Sequence, residues 1–226
     1  MLVLPLIRLL SLERARGRRL ARAVVGGGLR FFVEFMRAVG VLRYEFIGGE
    51  KLGRPGQLMV ANHPTLIDAV FLMGFTPLAG CIVKAGHLRN LITRGAVKAA
   101  GYIANAPTDE MIYAAEAALR DGETLLIFPE GTRTVPGRPV QMQRGAANVA
   151  VRGARVLTPI FISCDPPTLS KNLPWYRIPP RRPRFMLRVG DDIDLAAYRG
   201  MPVPIASRRL NADLAGLFDQ ATAVRK

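Results

Sequence analysis

The 226-residue chain is long enough for one well-packed domain, and half of its residues are hydrophobic, which excludes an intrinsically disordered protein. The formal net charge of +15 favours a partner that carries negative charge, such as anionic lipid, a phosphorylated substrate or nucleic acid. Two histidines and two cysteines offer almost no support for a structural zinc site. Cys81 and Cys164 lie in apolar runs, so we expect free thiols in a reducing compartment.

The first 45 residues alternate apolar stretches with nine arginines and three glutamates. No run reaches the roughly 18 uninterrupted apolar residues that a membrane-spanning helix needs. Residues 20–43 have helical periodicity, with a break or bend expected at Gly26–Gly28. This pattern suits either the headgroup boundary of a bilayer or packing on the protein's own core. We therefore predict that residues 1–45 form an amphipathic membrane-association segment ahead of a catalytic domain at 46–226. Its apolar side comprises Phe31, Phe32, Phe35, Val39 and Leu42.

From residue 57 onward, short apolar runs alternate with helical segments, which predicts an α/β fold with a single mixed, largely parallel sheet flanked by helices. The predicted strands are Gln57–Ala61, Gly80–Lys84, Thr124–Phe128, Val156–Ile162 and Arg184–Val189. The predicted helices are Ile67–Gly74, Leu88–Ala100, Asp109–Arg120, Arg144–Arg152 and Ile205–Val224. A proline-rich stretch at 166–183 is predicted to leave the sheet.

A histidine and a carboxylate follow the first of these strands, in Asn62-His63-Pro64-Thr65-Leu66-Ile67-Asp68. A histidine beside a carboxylate can act as a base that removes the proton of a substrate hydroxyl, and His63 is a candidate for that base. Asp68 would fix the tautomer of the imidazole and stabilise the imidazolium that forms. A histidine near a helix start with an ordinary surface acid has the same spacing, so this motif alone leaves both readings open.

A second motif, Phe128-Pro129-Glu130-Gly131-Thr132-Arg133-Thr134, follows the strand at 124–128. Gly131 permits a tight turn, and Glu130 and Arg133 then project from the carboxyl end of a strand, where α/β folds commonly bind ligands. The Arg133 guanidinium suits a phosphate group. A surface Glu–Arg pair on a turn is the alternative.

Together the two motifs resemble the lysophospholipid acyltransferase family, typified by 1-acylglycerol-3-phosphate acyltransferases. The resemblance extends over about residues 30–190. It includes the basic-Gly-Ala segment Arg144-Gly145-Ala146-Ala147, the proline segment Thr158-Pro159-Ile160 and the basic position Lys84.

This resemblance implies an O-acyltransferase of phospholipid biosynthesis that needs no cofactor and takes its acyl group from acyl-CoA or acyl-carrier protein. It implies His63 and Asp68 as catalytic residues and a membrane lipid as the acceptor. It also implies peripheral attachment to an anionic membrane surface, on the cytoplasmic face of the inner (plasma) membrane. Residues expected to bind substrate are Glu130, Gly131, Thr132, Arg133, Lys84 and Arg144.

One motif departs from the family pattern. Where the family has Gly-x-Ile-x-Ile-Asp-Arg, with the arginine assigned to the acceptor phosphate, this chain has Ala106-Pro107 in place of Asp-Arg. Arg94 or Arg144 are candidates to replace the missing cation. Otherwise the acceptor is a lipid hydroxyl that does not belong to a glycerophosphate, and lysophosphatidic acid is a poor acceptor.

Two other classes of function fit parts of the sequence. A nucleic-acid-binding protein would explain the charge, but no nucleic-acid-binding module is recognisable, and we expect no nucleic-acid partner. A non-catalytic, basic lipid-binding scaffold would explain the charge and the apolar N-terminal segment. The presence of both motifs favours an enzyme over such a scaffold.

Overall fold

The computed structural model describes residues 14–91, 93–105, 109–135, 141–171, 173–174 and 176–223. Seven strands within these residues form one sheet, in the order β1-β7-β6-β2-β5-β3-β4. The β6–β7 pair is antiparallel, and the other five pairs are parallel. The predicted single, mixed and largely parallel sheet is confirmed. The strands are β1 (Arg43–Ile47), β2 (Gln57–Ala61), β3 (Gly80–Lys84), β4 (Ile103–Asn105), β5 (Leu125–Ile127), β6 (Val156–Asp165) and β7 (Arg184–Val189).

Helices follow most of the strands and cover the sheet. They are α1 (Arg14–Ala38), α2 (Asp68–Phe75), α3 (Gly86–Arg89), α4 (Arg94–Ala99), α5 (Asp109–Arg120), α6 (Gly145–Gly153), α7 (Ala196–Arg199) and α8 (Val203–Ala223), with a 3-10 turn at Gly49–Lys51. The stretch that was predicted as one helix at Leu88–Ala100 contains two short helices. Ile92, between them, lies outside the described residues.

The core has two layers because neighbouring residues of a strand point to opposite faces of the sheet. Leu58 and Val60 of β2 pack with α5, α6 and α8 on one face, where Leu210, Leu214 and Phe218 are fully buried. Met59 of β2 packs on the other face with Phe71 of α2 and Val33 of α1.

Helix α1 runs without interruption through Gly26–Gly28, so the glycines do not break the helix. A Cβ atom at Gly74 of α2 would lie 2.9 Å from the backbone nitrogen of Arg30, and one at Gly26 would lie 3.2 Å from the Met73 carbonyl oxygen. The two helices therefore pack backbone to backbone. This packing offsets the cost of glycine inside a helix, about 1 kcal/mol per residue.

The buried side of α1 is not the side with the phenylalanines. Ala21, Arg22 and Val33 are buried, whereas Phe31, at 73% exposure, faces solvent together with Phe32, Phe35 and Val39. Leu42 lies beyond the end of α1 and is buried, so it does not belong to the exposed face. Packing of that face on the protein's own core is therefore excluded. Among the described helices, none is both long and apolar enough to cross a bilayer.

The predicted boundary at residue 45 lies inside β1, a strand that the sequence analysis missed. Helix α1 ends at Ala38, and Gly40 follows with a φ of +83°, which is typical of a helix C-terminus. The chain then enters β1, which pairs in parallel with β7. Because Val33 and Leu42 also belong to the core, α1 and β1 share one folded unit with the sheet.

Candidate active site

The candidate site lies at the carboxyl ends of β2 and β5, which are neighbours in the sheet. Asn62, the residue after β2, joins this end of β2 to β6. Its side-chain amide donates to the Ile162 carbonyl at 2.8 Å, and its carbonyl oxygen accepts from the Ile162 backbone N–H at 2.7 Å. These two buried hydrogen bonds fix the position from which residues 63–67 leave the sheet.

His63 and Asp68 meet across the turn between β2 and α2. Asp68 Oδ2 lies 2.9 Å from His63 Nδ1 and accepts its N–H. The same oxygen accepts the backbone N–H of Thr65 at 2.7 Å, and Oδ1 accepts the Thr65 hydroxyl at 2.6 Å. With Nδ1 protonated, the lone pair of the neutral imidazole is on Nε2. The 2.9 Å contact excludes the reading of Asp68 as an ordinary surface acid.

Asp68 is fully buried beneath the histidine, whereas the His63 side chain remains 18% exposed. Burial raises the pKa of the Asp68 carboxyl, and its hydrogen bonds with His63 and Thr65 oppose that rise. A buried carboxylate requires such hydrogen bonds, since an unpaired charge in the interior is costly. Asp68 is therefore placed to orient the imidazole and to balance its positive charge, while His63 faces the outside.

The His63 ring is held on a second side by Phe128, the residue after β5. The two rings stack with centroids 4.2 Å apart and an angle of 24° between their planes. Stacking and the Asp68 hydrogen bond together restrict rotation of the imidazole. A preorganised base of this kind loses little entropy when a substrate binds.

Glu130 is buried, and its carboxylate points into the protein rather than towards solvent. Glu130 Oε1 accepts the His63 backbone N–H at 3.0 Å and the Thr134 hydroxyl at 2.6 Å. The Thr134 backbone N–H donates in turn to the His63 carbonyl at 2.7 Å. Burial raises the pKa of the Glu130 carboxyl. These contacts join the two motif loops, so Glu130 positions the His63 backbone.

Gly131 and Thr132, the next residues of this loop, are exposed, and Gly131 has a φ of +63°. Arg133 turns back towards the loop after β6. One of its terminal nitrogens donates to the Leu169 carbonyl at 2.8 Å and to the Ser170 carbonyl at 3.1 Å. Among the residues that the structure describes, the other guanidinium nitrogens have no hydrogen-bond partner. The alternative of a surface Glu–Arg pair is excluded, because Glu130 and Arg133 bind different partners.

A cavity of about 560 Å³ opens beside this loop. Its lining includes Glu130, Gly131 and Arg144, together with Phe128, which stacks on His63. Three of the six residues expected to bind substrate therefore surround one space. Arg144 is exposed immediately before α6. Their roles in binding stay predictions.

The other predicted binding residues lie outside the cavity lining. Lys84 is exposed at the carboxyl end of β3, the strand beside β5. Thr132 and Arg133 lie on the loop between the cavity and residues 169–170. Ala106 and Pro107, where the family has Asp-Arg, lie outside the described residues. Arg94, a suggested replacement for the missing cation, is the first residue of α4.

Three residues with positioning roles were missed in the sequence: Thr65, Phe128 and Thr134. Thr65 was detectable, because Thr-x-x-Asp at the start of a helix is a known pairing pattern. The contacts of Phe128 and Thr134 with His63 join residues more than 60 positions apart. No pattern within one chain reveals such contacts. Among the described residues, no group of three or more Cys, His, Asp or Glu side chains has the arrangement of a metal site.

A sequence model of the acyltransferase family matches residues 43–163, which is more than half of the chain. The chain belongs to the acyltransferase family. The matched region contains both motifs, and it therefore includes His63, Asp68 and the whole Glu130 loop. The family prediction from the sequence is confirmed.

Two curated relatives are similar to this acyltransferase. It is 27% identical to a 1-acyl-sn-glycerol-3-phosphate acyltransferase from Pseudomonas aeruginosa over 62% of this chain and 56% of the relative. It is 26% identical to a yeast (Saccharomyces cerevisiae) protein of the same name over 59% of this chain and 47% of the relative. The chain thus spans about half the length of the curated relatives it matches.

A solved structure has the same fold. The 1-acyl-sn-glycerophosphate (LPA) acyltransferase PlsC from Thermotoga maritima aligns over 99% of this chain and 88% of its own, with a TM-score of 0.66. The sequence identity is 19%, so this similarity concerns the fold. The matched length includes α1 as well as the sheet.

Two substitutions of Glu130 distinguish a role in positioning the His63 backbone from a role of its charge in binding the acceptor. Glu130→Gln keeps an oxygen that accepts from His63 and Thr134, so we expect most activity to remain. Glu130→Ala removes one of the two acceptors of the His63 N–H, the other being Thr134 Oγ at 3.1 Å, and it leaves the Thr134 hydroxyl without its acceptor. We expect a cost of about 1–3 kcal/mol and a fall in kcat, while KM for the acceptor changes little. Steady-state kinetics of both variants measure this.

A role of the Glu130 charge in holding the acceptor has a different signature. In that case both variants should raise KM for the acceptor, and Gln should be nearly as damaging as Ala. Such a result would contradict the positioning role of Glu130.

Proposed function

We propose that this protein is an O-acyltransferase that moves a fatty acyl group onto the hydroxyl of a lysophospholipid of the 1-acylglycerol-3-phosphate type. The donor is an acyl-CoA or acyl-carrier-protein thioester, and no cofactor takes part. The observation that carries the proposal is the buried Asp68 carboxylate on Nδ1 of a partly exposed His63, which leaves Nε2 as a base. The printed names of the two curated relatives support the acceptor class.

The reaction follows from this geometry. His63 Nε2 accepts the proton of the acceptor hydroxyl as its oxygen attacks the thioester carbonyl carbon. Asp68 stabilises the imidazolium while the tetrahedral intermediate exists. The intermediate collapses by breaking the carbon–sulfur bond, and His63 returns the proton to the leaving thiolate. An ester and a free thiol are the products.

Substrate binding is assigned to the loop at 130–133 and to two cations. Gly131 and Arg144 line the cavity, and Thr132 is exposed next to Gly131 on the same loop. Arg144 and Lys84 supply positive charge for phosphate groups of the donor or acceptor. The Arg133 guanidinium adds to this charge on the side of residues 169–170.

We assign membrane attachment to α1, whose exposed phenylalanines lie beside arginines that suit anionic headgroups. The protein would then lie on the cytoplasmic face of the inner (plasma) membrane, where its lipid acceptor is found. This placement accounts for the net charge of +15 without a nucleic-acid partner.

The test of this proposal is an assay with labelled acyl-CoA or acyl-carrier protein and a panel of lysolipids. We expect an esterified lipid with at least one donor. A protein that binds vesicles but forms no ester with any combination would be a non-catalytic lipid-binding scaffold, and the proposal would fail.

A second acceptor class is favoured by a specific observation. Pro107 stands where the family has an arginine for the acceptor phosphate, and part of Arg133 is occupied by backbone carbonyls. A phosphomonoester carries nearly two negative charges, and its burial with too few cations is costly. A neutral or zwitterionic lipid hydroxyl avoids that cost.

A comparison of kcat/KM for lysophosphatidic acid with that for neutral and zwitterionic lysolipids, using one donor, decides between the two acceptors. If the missing arginine is uncompensated, lysophosphatidic acid should be the poorer substrate. A preference for lysophosphatidic acid of about tenfold, or about 1.4 kcal/mol, would show that Arg144 or another cation compensates. In that case Arg144→Gln should remove the preference, whereas Arg120→Gln on α5 should not.

A further inference from the structure

Most of the exposed apolar residues of α1 lie along one side of the helix, and Val39, just beyond its end, extends that line. They recur at spacings of four or seven residues, which places them on one side of a helix. The line runs to the C-terminal end of α1 and beyond it to Val41, which is also exposed. Its members are Leu20, Val24, Phe31, Phe35 and Val39.

A second exposed apolar group adjoins the end of this line. It lies in residues 176–183, called here the proline loop, where Ile178 is 88% exposed and Tyr176 is 70% exposed. A groove of about 630 Å³ is lined on one side by residues 36–42 and on the other by this loop. Arg182 donates to the carbonyls of Leu42 and Arg37, which fixes the loop beside the helix end.

The charge around the proline loop is positive. Lys171–Arg188 contains one lysine and five arginines and no acidic residue. Arg177 is exposed and forms no ion pair with any residue that the structure describes. Arg181 pairs with Asp165 at the surface, where both side chains are largely exposed and the pair is weak. An exposed isoleucine among arginines matches the boundary of an anionic bilayer.

The proline loop is also connected to the candidate active site. The Leu169 carbonyl accepts the Leu66 backbone N–H at 3.1 Å and the Arg133 guanidinium at 2.8 Å. Leu66 belongs to the turn between His63 and Asp68. The chain between β6 and β7 therefore contacts both motif loops before it reaches the exposed residues at 176–178.

We propose that the proline loop is a second bilayer contact, which acts with the apolar line of α1 to hold the carboxyl edge of the sheet against the membrane. Two separate contacts fix the orientation of the molecule, whereas one helix leaves rotation about its axis free. The His63 site then faces the lipid surface, and the acceptor hydroxyl reaches it without leaving the bilayer. The proposal deepens the proposed function and rests on its lipid acceptor.

Sedimentation with vesicles of phosphatidylethanolamine and phosphatidylglycerol tests the loop directly. Ile178→Glu should weaken binding by roughly tenfold or more, because it removes one apolar side chain and adds a charge that the lipids repel. Ile205→Glu is the matched control, since Ile205 is 52% exposed on α8, which covers the other face of the sheet. Phe31→Glu should weaken binding like Ile178→Glu.

Activity with a short-chain, water-soluble lysolipid separates this proposal from the proposed function. Ile178→Glu should retain that activity and lose activity on acceptor embedded in vesicles. Unchanged vesicle binding, or an equal loss in Ile205→Glu, overturns the second contact while the enzyme assignment stands. Two further results for Ile178→Glu would also overturn it. One is a molecular mass in solution, without vesicles, that differs from that of the wild type, because this would indicate a contact between copies of the chain. The other is weaker binding of acyl-carrier protein with no change in vesicle binding.

Discussion

Replacement of His63 by alanine should lower kcat/KM by about 10²–10⁴-fold, the usual cost of losing a general base. The fold should survive, because the imidazole is partly exposed and packs mainly on Phe128. The measurement is transfer of labelled acyl groups, with the far-ultraviolet circular dichroism spectrum and the urea midpoint recorded for the same preparation.

The chain provides its own control for this substitution. His87, the other histidine, is exposed in α3, and none of the described contacts joins its side chain to the site. His87→Ala should therefore keep wild-type turnover. Near wild-type activity in His63→Ala, or an equal loss in His87→Ala, would remove His63 from the mechanism.

Asp68→Asn should produce the second largest loss, about 10²–10⁴-fold in kcat, with little loss of stability. An asparagine carbonyl in place of Oδ2 still accepts from His63 and Thr65, and the amide can donate to the Thr65 hydroxyl. The tautomer of His63 is then preserved, but the negative charge that stabilises the imidazolium is lost. Near wild-type kcat in this variant would show that the charge of Asp68 is not needed.

Asp68→Ala separates catalysis from packing. It leaves the buried N–H and hydroxyl of Thr65 without an acceptor, so the free energy of unfolding should fall by about 1–3 kcal/mol in addition to the loss of activity. Urea unfolding of the Asn and Ala variants measures the difference. Equal stability of the two would contradict the hydrogen bonds assigned to Thr65.

The dependence of the free energy of unfolding on pH provides a further test. Burial raises the pKa of Asp68 above its ordinary value of 3.8 and that of Glu130 above 4.5, so the folded protein binds these protons more tightly than the unfolded chain does. The free energy of unfolding should therefore decrease as pH rises from these ordinary values to the raised ones. Asp68→Asn and Glu130→Gln should each remove part of that decrease.

Much of the fold could be predicted from local patterns. Strands β2, β3 and β7 have the predicted bounds, because each is a short apolar run bounded by turn residues. Strand β1, Arg-Tyr-Glu-Phe-Ile, was missed because the predicted boundary at residue 45 divided it. Its pairing with β7 joins residues about 140 positions apart, which a local pattern does not reveal. A break at Gly26–Gly28 does not occur for a similar reason, since contact with α2 outweighs the local preference of glycine.

In the candidate site, too, the residues could be found from local patterns, whereas several of their contacts could not. His63 and Asp68 were found from their spacing and from a family resemblance, and the structure brings them within hydrogen-bonding distance. Glu130 was expected to face the acceptor because it follows a strand end. Its inward contact with the His63 backbone depends on the alignment of β2 with β5, which a single sequence does not specify. Arg133 was likewise found, but its carbonyl partners at residues 169–170 were not.

The most direct test of the central claim is a paired measurement of thiol released and lysolipid esterified by the purified protein. With acyl-CoA or acyl-carrier protein as donor, we predict one ester formed for each thiol released, and almost no thiol released without acceptor. Both products should fall together in His63→Ala. Thiol release that does not depend on the acceptor, or ester formation that does not depend on His63, would contradict acyl transfer by the His63–Asp68 pair.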